Sequence, residues 1–157
     1  MATVQYLASS GANAVQAVSY DSGVGEGGSE VVSHHAGVLY VTNGEADRID
    51  AIDAATGGLL FSIDLAAEVP DYDGVNSVSA SAAGIAVAIE RDIATFDHVV
   101  VALFDLSGAL VDVYEVGNLP DMVTFSKDGT QIFVANEGEP DGGTDPLGSI
   151  SIIDVAT

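Results

Sequence analysis

The residues best able to do chemistry in this 157-residue chain are carboxylates, and they are dense in VANEGEPDGGTDP, residues 134–146. An apolar, strand-like start there runs into Glu137, Glu139, Asp141 and Asp145, with no lysine or arginine among them. Oxygen ligands at such density suit Ca2+, which takes roughly six to eight oxygens from carboxylates, amides, backbone carbonyls and water. The chain as a whole carries 24 acidic residues against Arg48, Arg91 and Lys127, a net charge of −21. A solubilising surface, suited to salty surroundings where cations screen self-repulsion, accounts for that charge as well as a metal site does. What separates the two readings is whether other carboxylates are delivered to the same place.

The same charge excludes several partners. Nucleic-acid binding draws on clustered Lys and Arg, and three basic residues cannot form such a cluster. An anionic membrane surface is disfavoured for the same reason. The 48% hydrophobic content and 18 glycines describe a packed, turn-rich chain rather than a disordered acidic tail. With no cysteine, disulfides, thiol chemistry and thiolate metal sites are excluded. The first residues, MATVQYLASSGANAV, lack a basic n-region and a continuous apolar h-region, and no apolar run reaches the roughly 18 residues of a membrane span. Either export uses no cleaved N-terminal signal, or the chain begins inside a longer one.

The elements that would position the carboxylates come from a repeat. Three units align on their glycine turns, with first anchors at Glu30, Asn76 and Asp121 and later anchors at Asp53, Asp105 and Asp154. Their apolar runs are short, β-branched and partly alternating, the pattern of strands rather than helices. The spacing predicts second strands at residues 38–42, 85–89 and 132–135 and third strands at 48–53, 98–105 and 149–154. Tight turns are expected at Ala36-Gly37, Thr56-Gly57-Gly58, Ala83-Gly84, Ser107-Gly108 and Asp128-Gly129. No segment reads as a helix. Four antiparallel strands every 40 to 50 or so residues is the period of a β-propeller blade. The expected fold is therefore all-β, a partial β-propeller of about three blades, with a β-sandwich as the alternative. The blades fall at about 30–66, 75–117 and 120–157, the last incomplete, after N-terminal strands and a Gly-rich connection over 1–29. Too few blades are present to close a ring, so a fragment of a longer propeller is expected, with remaining blades as a partner.

In a blade, the start of the first strand and the loop after the second open on one face. That places Glu30, Asn76 and Asp121 at an inner rim with the loops Asn43-Gly44-Glu45, Glu90-Arg91-Asp92 and Asn136-Glu137-Gly138-Glu139. The candidate Ca2+ ligands are Glu30, Glu45, Asp121, Glu137 and Glu139, with Glu90 as a candidate general base. Asp71, Asp73, Asp141 and Asp145 sit in longer loops, where they add ligands or only solubility. Asp53, Asp105 and Asp154 are expected to fix the turns after their strands. The run GVGEGG, residues 23–28, lacks the GK[ST] ending of a phosphate loop and reads as a flexible connection. His34, His35 and His98 do not make a convincing zinc set. No G-x-S-x-G elbow appears.

Two resemblances follow from these residues. LYVTNGEADRIDAIDAATGGLL, residues 39–60, resembles the YVTN type of propeller repeat. More broadly, residues 23–157 are similar to the choice-of-anchor I proteins of bacteria, with LPDM and NEGEP the most specific segments. The resemblance implies a surface or secreted propeller that continues beyond residue 157. Proteins of that kind are often labelled alkaline phosphatase-like, but the resemblance carries no catalytic assignment onto particular residues. Two functions are thus expected: an extracellular or cell-surface module with a Ca2+-binding rim that binds or displays ligands, or a metal-dependent phosphomonoesterase in which bound Ca2+ holds the phosphate and Glu90 serves as base.

Overall fold

The computed structural model of the chain describes the backbone of residues 6–7 and 14–15, and residues 18–91, 99–138, 140, 143 and 145–155. A two-stranded hairpin, β1 (Tyr6–Leu7) and β2 (Ala14–Val15), precedes three antiparallel sheets. The first sheet is β3 (Val32–His35), β4 (Val38–Asn43), β5 (Arg48–Asp53) and β6 (Leu59–Asp64), paired in chain order. The second is β7 (Tyr72–Ser81), β8 (Gly84–Arg91), β9 (Val100–Phe104) and β10 (Leu110–Glu115). The third holds β11 (Pro120–Phe125), β12 (Gln131–Asn136) and β13 (Ser149–Asp154). The expectation of an all-β partial propeller with an incomplete last blade is met by sheets of four, four and three strands.

Turn chemistry sets these strands. Ala36 and Gly37 both adopt positive φ, 48° and 84°, in the two-residue connection between β3 and β4, as a right-twisted hairpin requires. Asp53 Oδ1 accepts the N–H groups of Ala55 and Thr56 and the Thr56 hydroxyl at 2.8–2.9 Å. Asp105 does the same for Ser107 and Ala109. Asp154 differs: it receives Gln131 Nε2 at 2.8 Å across the β12–β13 pair. One expectation fails, since a single helical turn, α1 (Leu65–Glu68), follows β6, with Asp64 accepting Ala67 N at 3.0 Å as its cap. Four residues are too few for a helical period to register in the sequence, whereas the cap and the fully buried Leu65 decide the local fold.

The middle sheet is buried on both faces. Along β8, Ile85, Val87 and Ile89 pack toward the first sheet, while Ala86 and Ala88 face the third. β9 divides likewise, with Val100, Ala102 and Phe104 on one side and Val101 and Leu103 on the other. A strand covered on both sides needs no polar alternation, which is why IAVAI and VVALF read as continuous apolar runs. Tyr20, Ser22 and Gly27 are tied to the first sheet and its β4–β5 connection by hydrogen bonds to Asp50, Arg48 and Glu45. By contrast, Met122, Ile150 and Ile152 on the third sheet are 54%, 67% and 61% exposed.

The inner strands β3, β7 and β11 lie side by side, each with one edge free of strand pairing among the described residues. Serine hydroxyls occupy those edges. Ser33 Oγ accepts Ala80 N at 2.9 Å, Ser77 Oγ accepts Val123 N at 3.3 Å and Ser79 Oγ accepts Phe125 N at 3.2 Å. Each bond ties one blade's inner strand to the next and gives a main-chain donor an acceptor, at a buried position for Val123 and at half-buried ones for Ala80 and Phe125. Ser77→Ala should therefore lower stability by about 1–3 kcal/mol, the cost of leaving a buried N–H without an acceptor. Denaturant unfolding of the two proteins measures it.

Candidate functional site

The strand registers bring the predicted rim together at one end of the inner strands. Val32 pairs with Val41, Tyr72 with Arg91 and Pro120 with Asn136, so the starts of β3, β7 and β11 adjoin the ends of β4, β8 and β12. Asn76 lies inside β7 rather than at its start. It occupies a bulge between the pairs Val75–Ile89 and Ser77–Ala88, and Asp121 occupies the matching bulge between Pro120–Asn136 and Met122–Ala135. A bulge leaves its extra residue unpaired and re-aims the side chain, so the anchors at positions 76 and 121 are equivalent in the fold as well as in the repeat.

The individual candidates are placed as follows. Glu30 Oε2 lies 3.9 Å from where a Cβ on Gly44 would stand, beside the loop that carries Glu45. Glu45 N donates to Gly27 O at 3.3 Å, so the Gly-rich run, expected to be only a connection, also packs against that loop. Glu90 Oε1 accepts Asn76 Nδ2 at 2.8 Å, and the same amide reaches Pro120 O at 3.3 Å, next to Asp121. Glu137 N donates to Leu119 O at 2.8 Å, drawing the acid-rich loop to the start of β11. Glu30, Glu45, Asp121 and Glu137 are all exposed. Glu139, Asp92, Asp141 and His98 lie outside the described residues. Among the described residues, no three Asp, Glu or His side chains are gathered closely enough to hold a metal ion as they stand.

Beneath the rim is a feature that the sequence reading missed. Asp50, on β5, is fully buried and accepts four side-chain hydrogen bonds: Ser62 Oγ at 2.6 Å, Arg48 Nε at 2.8 Å, Tyr20 Oη at 2.9 Å and Asn43 Nδ2 at 3.0 Å. Burial opposes the charge, but these donors outweigh it and hold the carboxyl below its ordinary range. Arg48 also donates to Ser22 O at 3.0 Å, so the cluster clamps residues 20–22 across the first sheet. Asn136, which occupies on β12 the position of Asn43 on β4, donates to Ser149 and Ser151 at 3.1 and 2.9 Å. In both asparagines Oδ1 is buried and has no partner among the described residues. The Tyr72 hydroxyl is buried, and its ionisation is pushed far up by that burial, then by the neighbouring Asp47 carboxylate, with Asp73 and Glu90 adding to it. Arg91 is committed as well, to Pro70 O at 2.9 Å and Asp71 at 3.5 Å. The rim thus has an excess of hydrogen-bond acceptors.

Gly138 stands tight against residues 146–148. A Cβ at Gly138, where φ is +73°, would stand 2.6 Å from Pro146 O and 2.7 Å from Gly148 N.

A family model described as the choice-of-anchor I domain matches residues 30–157. No curated protein matches the chain. Among solved structures, hydrazine synthase of Kuenenia stuttgartiensis is similar with a TM-score of 0.63 and 18% identity, over 82% of this chain and 33% of that one. BamB from Moraxella catarrhalis matches at 0.53 and 16%, over 79% and 32%. The PQQ-bound aldose sugar dehydrogenase from Streptomyces coelicolor matches at 0.53 and 18%, over 90% and 43%. At these identities the likeness is one of fold, a β-propeller type. The chain spans about a third of the length of the first two.

Two outcomes follow from this geometry. Asp50→Asn should lower stability at neutral pH by about 2–3 kcal/mol, since four donors lose a charged acceptor. The deficit should shrink as pH falls below about 4, because a depressed carboxyl stabilises the fold above its unfolded pKa and loses that contribution as it protonates. Urea unfolding of both proteins across pH 3–7 measures the difference. Gly138→Ala should cost about 2 kcal/mol or more, from left-handed strain together with a backbone clash, read by the same method.

Proposed function

The chain belongs to the choice-of-anchor I family, and from that premise we propose that it is part of an extracellular or cell-surface β-propeller module whose acidic rim binds Ca2+ and serves in ligand binding or display. The observation that carries this reading is the unbalanced chemistry of the rim. Three successive blades bring carboxylates to one end of the inner strands, two buried asparagine Oδ1 atoms there have no partner among the described residues, and both nearby guanidinium groups are engaged elsewhere. Amide and carboxylate oxygens in excess suit a hard cation. Because the carboxylates are exposed and not already drawn around one centre, binding must gather them, which sets the affinity in the weak range of extracellular modules, a Kd of roughly 10⁻⁴–10⁻³ M.

Further blades of a larger propeller are the proposed partner of the third sheet. Its exposed Met122, Ile150 and Ile152 resemble in kind the apolar faces that join the first two blades, and the matched structures are longer than this chain. A phosphomonoesterase reading has less support. Glu90, the carboxylate that would act as base, already accepts Asn76 Nδ2, and fold likeness alone carries no activity.

Calcium at millimolar concentration should raise the melting temperature by a few degrees, as a ligand that binds only the folded state does. Magnesium should not replace it. Glu137→Gln combined with Glu139→Gln should remove the rise, measured by calorimetric melting with and without chelator; a rise that survives both changes rejects the rim as the calcium site.

A further inference from the structure

The other end of the inner strands carries a different chemistry. A groove of about 460 Å³ opens there between the ends of β3, β7 and β11, lined by Ser33, His35, Ser79, Ser81 and Lys127 among others. None of these residues belongs to the rim; of them the sequence raised only His35 as chemistry, in a zinc set that it did not support. Their hydrogen-bond accounting is lopsided. Ser33 Oγ accepts Ala80 N, Ser79 Oγ accepts Phe125 N and Ser81 Oγ accepts Ala83 N. A hydroxyl that accepts from the main chain still has its own proton to give, and none of these three donates to another described residue. Lys127 is exposed and makes no ion pair among the described residues, whereas Arg48 and Arg91 are both paired. The carboxylate at the groove, Asp128, has Oδ1 engaged by the hydroxyls of Ser126 and Thr130 at 2.7 and 2.8 Å and by Thr130 N at 3.2 Å.

Spare donors, a free ammonium and an imidazole in a chain of net charge −21 select for the opposite complement, a ligand rich in acceptors and negatively charged. We propose that this groove is a binding site for a small ligand bearing an oxyanion group, held by Lys127, His35 and the hydroxyl protons of Ser33, Ser79 and Ser81. A phosphate ester and an acidic sugar share this chemistry. The assignment does not rest on calcium binding at the rim.

The test is calorimetric titration of the chain at low ionic strength with sodium phosphate, sodium sulfate, sodium glucuronate and glucose. Saturable binding of at least one anion, with no binding of glucose, is expected. Binding of phosphate without glucuronate would assign a phosphate-bearing ligand, and the reverse an acidic sugar. Lys127→Ala should weaken binding by about tenfold or more, the effect of losing a charged hydrogen-bond donor, and Lys127→Arg should keep most of it. Lys127 is exposed in a turn, so both variants should melt with the parent. Glu68→Gln, exposed on α1 near the start of β7, should bind as the parent does. The proposal is overturned by an absence of saturable anion binding, by equal binding in Lys127→Ala, by glucose binding as tightly as the anions, or by loss of binding in Glu68→Gln.

Discussion

Among the described residues each inner strand has one edge outside any sheet ladder, and the N–H groups there, buried at Val123 and half-buried at Ala80 and Phe125, need acceptors. Ser33, Ser77 and Ser79 meet that requirement by accepting Ala80, Val123 and Phe125 N–H groups of the next blade. The apolar faces can be swapped among similar residues at modest cost, but an unpaired buried N–H has no such substitute. Sheet packing follows from the same bonds. With β3, β7 and β11 tied at fixed height, Ile85, Val87 and Ile89 meet the first sheet and Ala86 and Ala88 meet the third without further choice of register.

That fixed height sorts the polar chemistry into two ends. At the start of the inner strands, acceptors outnumber donors, and the buried Asp50 cluster draws Arg48, Tyr20 and Asn43 inward, removing donors that might have neutralised the rim. At the far end, the serines that accept from the backbone retain their protons, beside Lys127 and His35. A net charge of −21 conceals this division, because a sum over the chain has no direction.

Much of the scaffold could be read from the residues. Strands placed at 38–42, 48–53, 85–89 and 149–154 became β4, β5, β8 and β13 to within a residue or two, because their apolar runs and glycine turns are local signals. The anchors Asn76 and Asp121 proved to be bulge residues in matching places, visible as a repeat but not as bulges, since a bulge is defined by the partner strand. The rest was hidden for one reason. Tyr20 reaches Asp50 across 30 positions, and the inter-blade serine bonds span 46 or 47. A serine that caps a distant N–H looks no different in sequence from one facing water. The choice of Glu30, Glu45, Asp121 and Glu137 brought out the rim, while the donor-rich groove went unseen because its residues are individually ordinary.

The serine bonds also bear on how such a chain could have grown. Ser33 to Ala80 spans 47 positions where the anchors Glu30 and Asn76 are 46 apart, and Ser77 to Val123 and Ser79 to Phe125 span 46 where Asn76 and Asp121 are 45 apart. A hydroxyl and the N–H it serves therefore sit one repeat and one residue apart at both junctions. Duplication or deletion of a whole unit by recombination would hand each new inner strand an acceptor already at the right height. An insertion that is not a whole unit must instead fall in the loops between strands, where it leaves that spacing in three dimensions untouched. The fold can thus change its blade number in one genetic step while its polar stitching stays complete.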